Sequence, residues 1–219
     1  MWRIEATVDA AGSPYDRRAA LYDWLVRSPV YNRLAWSTSP HDYTRFAAAA
    51  IGSSNGPLLE VAAGSAAATA ELHAHSRRPT VLVDLSAAML ERAAQRIAAC
   101  AGDPQVPAHI RLVQADLFAL TFPPQSFTTV LGLGCTHLFD DLPAVVTTLQ
   151  GQLVPDGTLH LSGLVSENRR GRRYLQLLHR AGEAARPKSA RELRILLGQP
   201  AHFHTIGCMA YATLPAAAR

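Results

Sequence analysis

Three short apolar runs, each ending at or near a carboxylate, constrain this chain more than any other feature. Leu58-Leu59-Glu60-Val61 leads into the small-residue stretch Ala62-Ala63-Gly64-Ser65-Ala66. Thr80-Val81-Leu82-Val83 ends in Asp84, twenty residues after Gly64. Ile110-Arg111-Leu112-Val113-Gln114-Ala115 ends in Asp116. Helical periodicity fills the gaps, over Ala66–His75 and over Ser86–Cys100. In the second of these Ser86 suits an N-cap, with Met89, Leu90 and Ala93 on one apolar stripe. Strands alternating with helices of about ten residues or more imply βαβ units and a parallel sheet covered on both faces. Acids at successive strand ends beside a small-residue turn suit an adenosine-containing ligand. The turn lets backbone N–H groups come close to the ligand, and the second acid can take both ribose hydroxyls.

The pattern continues through a fourth strand, Phe127–Leu133, a helix over Leu142–Leu153, a tight turn at Pro155-Asp156-Gly157 and a fifth strand, Thr158–Leu164. Helices are expected near Arg172–Ala181 and from Ser189 to Leu197. A hairpin follows, of His202–Ile206 and Cys208–Leu214 hinged at Gly207. Residues 1–12 read as a loose lead-in. A helix from Ser13-Pro14 is broken by Pro29, and a short piece follows. A further helix starts at Ser39-Pro40, runs through Tyr43 and Phe46 to Ile51, and is stopped at Gly52. The expectation is one domain over 1–219, with a helical lid (1–55), a ligand-binding core (56–165) and C-terminal helices with a strand hairpin (166–219). The fold class is α/β: a doubly wound, Rossmann-like, seven-stranded sheet, mostly parallel, with an antiparallel C-terminal strand.

Composition narrows the classes. With 48% hydrophobic and 17% charged residues the chain can fill a globular core. Its net charge of +4 permits an anionic partner without demanding nucleic acid. The three cysteines lack metal or redox spacing, and their odd number argues against a disulfide framework. No stretch reaches the roughly 18 apolar residues that crossing a bilayer needs, and the N-terminal residues lack a secretory pattern. These features place the chain in a reducing cytoplasm, with no membrane partner.

The layout resembles the class I S-adenosylmethionine-dependent methyltransferase superfamily, closely over about residues 56–165 and loosely elsewhere. Glu60 to Ala66 sits where that family has an acid and a GxGxG turn; only Gly64 is kept, with Ala62 and Ala66 replacing the other two glycines. Val83-Asp84-Leu85-Ser86-Ala87-Ala88-Met89-Leu90 is similar to the family's acid-x-Ser-x-x-Met-Leu signature. Gln114-Ala115-Asp116-Leu117 is similar to its third motif. The resemblance implies that Glu60, Ala62, Gly64 and Leu85 border S-adenosylmethionine. Asp84 would bind its ribose, Met89 would pack near the adenine, and Asp116 and the Leu117 backbone would read the ring edge. Leu133 and Cys135, after the fourth strand, fall where the family lines the methionine end and the acceptor site. The product would be S-adenosylhomocysteine. Tyr22-Asp23-Trp24 with Tyr31-Asn32-Arg33-Leu34 and Trp36 is faintly similar to the quinone-methylating branch. From the lid, Tyr22 would close on the methionine carboxylate, and Tyr31 and Trp36 would face a small-molecule acceptor.

Methyl transfer is an in-line displacement in which the protein aligns the nucleophile and excludes water. An oxygen or nitrogen acceptor can also need a base, and His137, following the fourth strand, is the candidate. Its alternative is a histidine that only shapes the pocket or caps a helix. His73 with His75, and His202 with His204, have H-x-H spacing but no recognised set of further ligands, so no metal is expected. The run Arg169-Arg170-Gly171-Arg172-Arg173 fits an anionic acceptor, RNA or a plainly solvated face. Base methylation is disfavoured because Gly132–His137 lacks an Asn/Asp-Pro-Pro-aromatic motif. Three rivals stay open: a nicotinamide-dependent reductase, a non-transfer reaction of the same cofactor, and an inactive cofactor-binding scaffold. The reductase wants a fuller glycine fingerprint and a Tyr-x-x-x-Lys, whereas the sole lysine is Lys188.

Overall fold

The computed structural model describes residues 4–6, 40–198 and 200–217. Eight strands form one sheet: β1 (Ile4–Ala6), β2 (Leu58–Val61), β3 (Thr80–Asp84), β4 (Ile110–Gln114), β5 (Phe127–Gly132), β6 (Leu153–Leu164), β7 (His202–Ile206) and β8 (Met209–Pro215). Their order is β1-β4-β3-β2-β5-β6-β8-β7. Neighbours from β1 to β6 pair in parallel, whereas β8 runs antiparallel to both β6 and β7. Among the described residues six helices accompany them: α1 (Pro40–Ile51), α2 (Ala70–Ser76), α3 (Ala87–Ala101), α4 (Leu142–Gly151), α5 (Arg169–Arg180) and α6 (Ala190–Leu196). This is the doubly wound, Rossmann-like architecture expected, with the antiparallel element inserted between β6 and β7. No described helix is long and apolar enough to cross a membrane.

The strands are apolar on both sides because both faces are covered. One face carries Leu82 and Leu112 against Leu90, Ala93, Ala94 and Ile97 of α3, with Leu58 and Leu131 against Ala50 and Ile51 of α1. The other carries Leu59, Val61, Val81, Val83, Val113 and Val130, packed with Val145, Val146 and Leu149 of α4 and Leu193 and Leu197. Each fully buried aliphatic side chain contributes about 1.5–3 kcal/mol, so both layers are needed.

Three local expectations are corrected. Ile4–Ala6 is a short edge strand beside β4, not a lead-in. Helix α2 starts at Ala70, not Ala66, because Ala66 adopts φ +50° and the chain turns before it coils. Residues 155–157 lie inside the long β6, where Asp156 takes φ +66° and the register against β5 shifts. The hairpin does hinge at Gly207, with φ +58°.

A buried arginine that sequence reading passed over locks α1 to the sheet. Arg78 Nη1 donates to Ile51 O (2.8 Å), and its Nη2 donates to the Thr128 and Thr129 hydroxyls (2.8 and 2.7 Å). Its Nε donates to Gly56 O. The guanidinium thus satisfies carbonyls that the helix end leaves open. Burial lowers its pKa to about 10, and it remains charged at neutral pH. Phe46, one face along, packs on His160 and Tyr211 at ring distances of 5.8 and 5.0 Å. With its last turn fixed in this way, α1 presents Tyr43 at the opposite end of the sheet, above Gly134.

Candidate active site

The carboxyl ends of β2, β3, β4 and β5 converge around the turn that follows β2. Ala62, Gly64 and Ala66 have φ of +49°, +52° and +50°. The turn therefore keeps a left-handed residue at every second position, a geometry that favours glycine. Two of the three places hold alanine, and several restraints stabilise them there. Ala63 N donates to Val83 O (3.1 Å), Gly64 N donates to Asp84 Oδ2 (2.7 Å), and Arg96 of α3 donates to Ser65 O. Strained backbone persists where its surroundings over-determine it, and here both neighbouring strand ends and a helix do so. Among the described residues a Cβ on Gly64 would meet nothing within 4 Å, so the turn is open on that side.

Glu60 supports this turn from below. It is 2% exposed and His73 is 0% exposed. The Thr69 hydroxyl donates to Glu60 Oε1 (3.1 Å), and His73 Nε2 pairs with Oε2. Both carboxylate oxygens thus serve the start of α2, and the expected contact between Glu60 and a ligand gives way to a buried supporting role. The His73 partner was not foreseen, because its thirteen-residue separation shows no local pattern. His73 Nδ1 lacks a hydrogen-bond partner. An Nε2–H tautomer leaves only a lone pair unsatisfied, which costs less than an orphaned N–H. His75 turns instead to Glu71 O.

Asp84 stands at the end of β3. Besides Gly64 N, the Ser86 N–H donates to it, at Oδ1 (2.9 Å), while the Ser86 hydroxyl accepts from Met89 N (3.2 Å) and caps α3. One carboxylate therefore holds the turn and the entry to α3 together. Leu85 is exposed and Met89 is buried. Asp116 is exposed and caps the short 3-10 turn Leu117–Ala119 by accepting from Phe118 N (2.8 Å); Leu117 is buried. Asp84 and Asp116 thus stand at the ends of adjacent strands, as the spacing requires.

The loop after β5 is packed tightly onto β6. Gly134 N donates to Ser162 Oγ (2.9 Å) and Cys135 N to Ser162 O (2.9 Å). Leu133 is half-buried and leans on the α1 cluster. Cys135 is 1% exposed, and burial pushes its thiol up to about 12, so it stays a protonated thiol packed in the core. A Cβ on Gly134, where φ is +61°, would overlap the Tyr43 hydroxyl. His137 is half-buried, and its Nδ1 accepts from Leu164 N (3.4 Å). Burial, reinforced by the Lys188 ammonium, lowers its pKa to about 4, so it is neutral and weakly basic near pH 7. Lys188 itself is buried, with Nζ donating to Phe139 O (2.9 Å) and Arg186 O (3.3 Å). His137 therefore belongs to a structural joint between the β5 loop and residues 185–188. Tyr22, Tyr31 and Trp36 lie outside the described residues.

Comparisons with known proteins agree with this geometry. Residues 58–157 match a family model described as a methyltransferase domain. No curated protein matches in sequence. Among solved structures the chain is similar to the YcgJ protein of Bacillus subtilis, at 21% identity and TM-score 0.54 over 71% of this chain and 66% of that one. It is similar to an S-adenosylmethionine-dependent methyltransferase from Thermotoga maritima, at 15% identity and TM-score 0.62 over 90% and 99%. A third is the geranyl diphosphate C-methyltransferase of Streptomyces coelicolor A3(2), crystallised with S-adenosyl-L-homocysteine. It is 15% identical, with TM-score 0.65 over 99% and 87%. The stretch 58–157, which carries Glu60, Asp84 and Asp116, thus matches a methyltransferase-domain family, and the chain shares its fold with these solved structures.

Proposed function

We propose that this chain binds S-adenosylmethionine at the β2–β3–β4 strand ends and transfers its methyl group to a small-molecule acceptor. The observation that carries the reading is the pairing of Gly64 N–H with the Asp84 carboxylate at the mouth of a left-handed turn open on its ligand side. The donor set fits the cofactor. Asp84 would accept from both ribose hydroxyls, Asp116 would accept from the adenine amino group, and the turn at 62–66 would pass under the methionine end. Leu85 and Leu117 would border the adenine. When bound, the cofactor supplies an activated methyl group on a sulfonium, so the chain's own contribution is alignment and exclusion of water. Tyr43, over Gly134, stands where an acceptor would approach. Both the Streptomyces enzyme and another structural neighbour act on geranyl diphosphate, a small molecule. The reading gives His137 no role as a base, because its Nδ1 is already an acceptor for Leu164 N–H.

The strand order speaks against a nicotinamide enzyme, since an antiparallel β8 separates β6 from β7 where the dinucleotide fold has a parallel sixth strand. A cofactor-binding scaffold is the second reading, favoured by the two alanines at left-handed positions. Calorimetric titration with S-adenosylmethionine, S-adenosylhomocysteine and NAD separates them. Micromolar binding of the first two and none of the third is expected. Asp84→Asn should weaken binding by about 10- to 100-fold, because it replaces charge-assisted hydrogen bonds with neutral ones. Unchanged affinity in a folded Asp84→Asn protein would remove Asp84 from the site, and binding without any turnover over an acceptor screen would favour the scaffold.

A further inference from the structure

The chain's positive charge is gathered in one place. Residues 166–198 hold nine of the 21 Lys and Arg residues and three of the 17 Asp and Glu residues, a net +6 that leaves the rest of the chain at −2. Four of the nine lie in the first five residues of α5: Arg169, Arg170, Arg172 and Arg173, all exposed. Helix α5 has no acid in its first turn, and no carboxylate lies within ion-pair distance of its arginines among the described residues. Two of the three acids of this stretch are engaged elsewhere: Glu167 accepts from Ala190 N (2.7 Å), and Glu192 accepts from Ser189.

Such an arrangement is unfavourable for the helix alone. Arg169 and Arg173 are like charges one turn apart, and they crowd the positive end of the helix dipole. At about 100° per residue, Arg169, Arg173 and Arg180 fall within about 40° of one another and make a single stripe. The opposite face is committed to packing, with Gly171 and Leu175 buried. A Cβ on Gly171 would come 2.7 Å from Cys208 Sγ, so the glycine seats the helix start against the β7–β8 turn. That seat lies just beyond the carboxyl end of β6, the strand whose Ser162 holds the Gly134 loop. The stripe therefore stands at the same end of the sheet as Asp84, Gly134 and Tyr43.

We propose that the arginine stripe of α5 is a phosphate-binding rim, and that the methyl acceptor is a small molecule carrying a phosphate or diphosphate group. Planar guanidiniums pair with phosphoryl oxygens two at a time, and several of them on one helix face match a group with several anionic oxygens. The word acceptor rests on the methyl-transfer reading above; the anion site does not. Calorimetric titration of the full chain with inorganic pyrophosphate at low salt, in parallel with S-adenosylhomocysteine, tests it. One-site pyrophosphate binding is expected, weakened by about tenfold or more in Arg169→Gln/Arg173→Gln, with S-adenosylhomocysteine affinity unchanged and the melting temperature not lowered, because the substitution relieves a like-charge pair. If that pair does not fold, Arg180→Gln, also on the stripe, should weaken pyrophosphate binding in the same direction. S-adenosylhomocysteine binding with no pyrophosphate heat up to about 10 mM would overturn this inference alone. So would equal pyrophosphate binding in folded variants. A short single-stranded RNA binding about tenfold tighter than pyrophosphate would overturn it in favour of a nucleic-acid surface. Pyrophosphate binding without S-adenosylhomocysteine binding would refute the methyl-transfer reading and with it the identity of the acceptor.

Discussion

Replacing Ala62 by glycine should stabilise the protein. At φ +49° an L-residue carries about 1–2 kcal/mol of steric cost. Glycine removes that cost but gives the unfolded chain more freedom, worth about 0.5–1 kcal/mol in the other direction. The net is a gain of about 0.5–1 kcal/mol, or about 1–4 °C in melting temperature for a chain of this size. Ala66, at φ +50°, has the same backbone but a different side-chain setting. Its methyl is 2% exposed and sits in the cluster of Ala63, Leu90, Ala93 and Ile97. Losing that burial costs about 0.8 kcal/mol, so Ala66→Gly should be close to neutral. Gly64→Ala is the mirror experiment. Its Cβ would meet no atom, so only the backbone term acts, and a loss of about 0.5–1 kcal/mol is expected. Urea unfolding of the three variants, with constant m-values, reads all of these shifts. A lowered midpoint for Ala62→Gly, or a raised one for Gly64→Ala, would refute the strain argument. Cofactor titration on the same proteins should find Ala62→Gly binding at least as well as the parent.

Acid should destabilise the fold over a defined window. His137 and His160 both have pKa values lowered to about 4, chiefly by burial, whereas the unfolded chain protonates them near the usual 6.5. Below that value the unfolded state binds more protons, so their contribution is fully present above about pH 6.5 and is lost as pH falls towards 4. Urea midpoints measured across that range should fall, and His160→Gln should flatten the fall; a parent midpoint constant down to pH 4 would contradict the burial of both rings. Gly134→Ala should cost about 2–3 kcal/mol, from its left-handed φ and from overlap with the Tyr43 hydroxyl. In a Tyr43→Phe background the nearest ring atom stands 3.5 Å from the new Cβ, so the cost should drop by about 1 kcal/mol or more in a double-mutant cycle; equal costs in both backgrounds would mean the phenol does not occupy that place.

The strands were legible because parallel, doubly covered strands read as near-continuous apolar runs, and each was found within a residue or two apart from the long β6 and the short edge strand β1. Helix α1 was legible at both ends, from the Pro40 start and the Gly52 stop. Signals that live in φ, and not in residue type, were not legible. Ala66 reads as a helix former, yet its left-handed conformation delays α2 to Ala70. Ile4–Ala6 is too short to show a period, and only its pairing with β4 makes it a strand. At the site, Asp84 and Asp116 came from strand-end position, which sequence order specifies. The roles of Glu60, Cys135 and His137 depended on which side of the backbone each side chain takes and what meets it there. His73, Arg78, Arg96 and Lys188 are missed for the same reason: each acts on a group remote in sequence, so no local spacing announces it.

The two sides of this site are built from different material, which explains why likeness to known structures is strong in fold and weak in identity. On the proposed cofactor side the groups that would meet the ligand are mostly backbone or single carboxylates at strand ends. Any sequence that makes the same strands can supply them, even with alanine at two of three glycine positions, provided that Asp84, Arg96 and the Glu60–His73–Thr69 cluster hold the turn. On the proposed acceptor side the surfaces would come from α1, the β5 loop and α5, elements attached to the doubly wound core but not dictated by it. There the chemistry rests on particular side chains, a phenol over a glycine and a stripe of guanidiniums that its own helix does not neutralise. A fixed cofactor cradle with a freely varied rim lets one fold serve many acceptors. On the proposed reading the rim is cationic where the cradle is acidic, so an anionic acceptor would be drawn to α5, with its reacting atom towards Gly134, and not to Asp84 and Asp116.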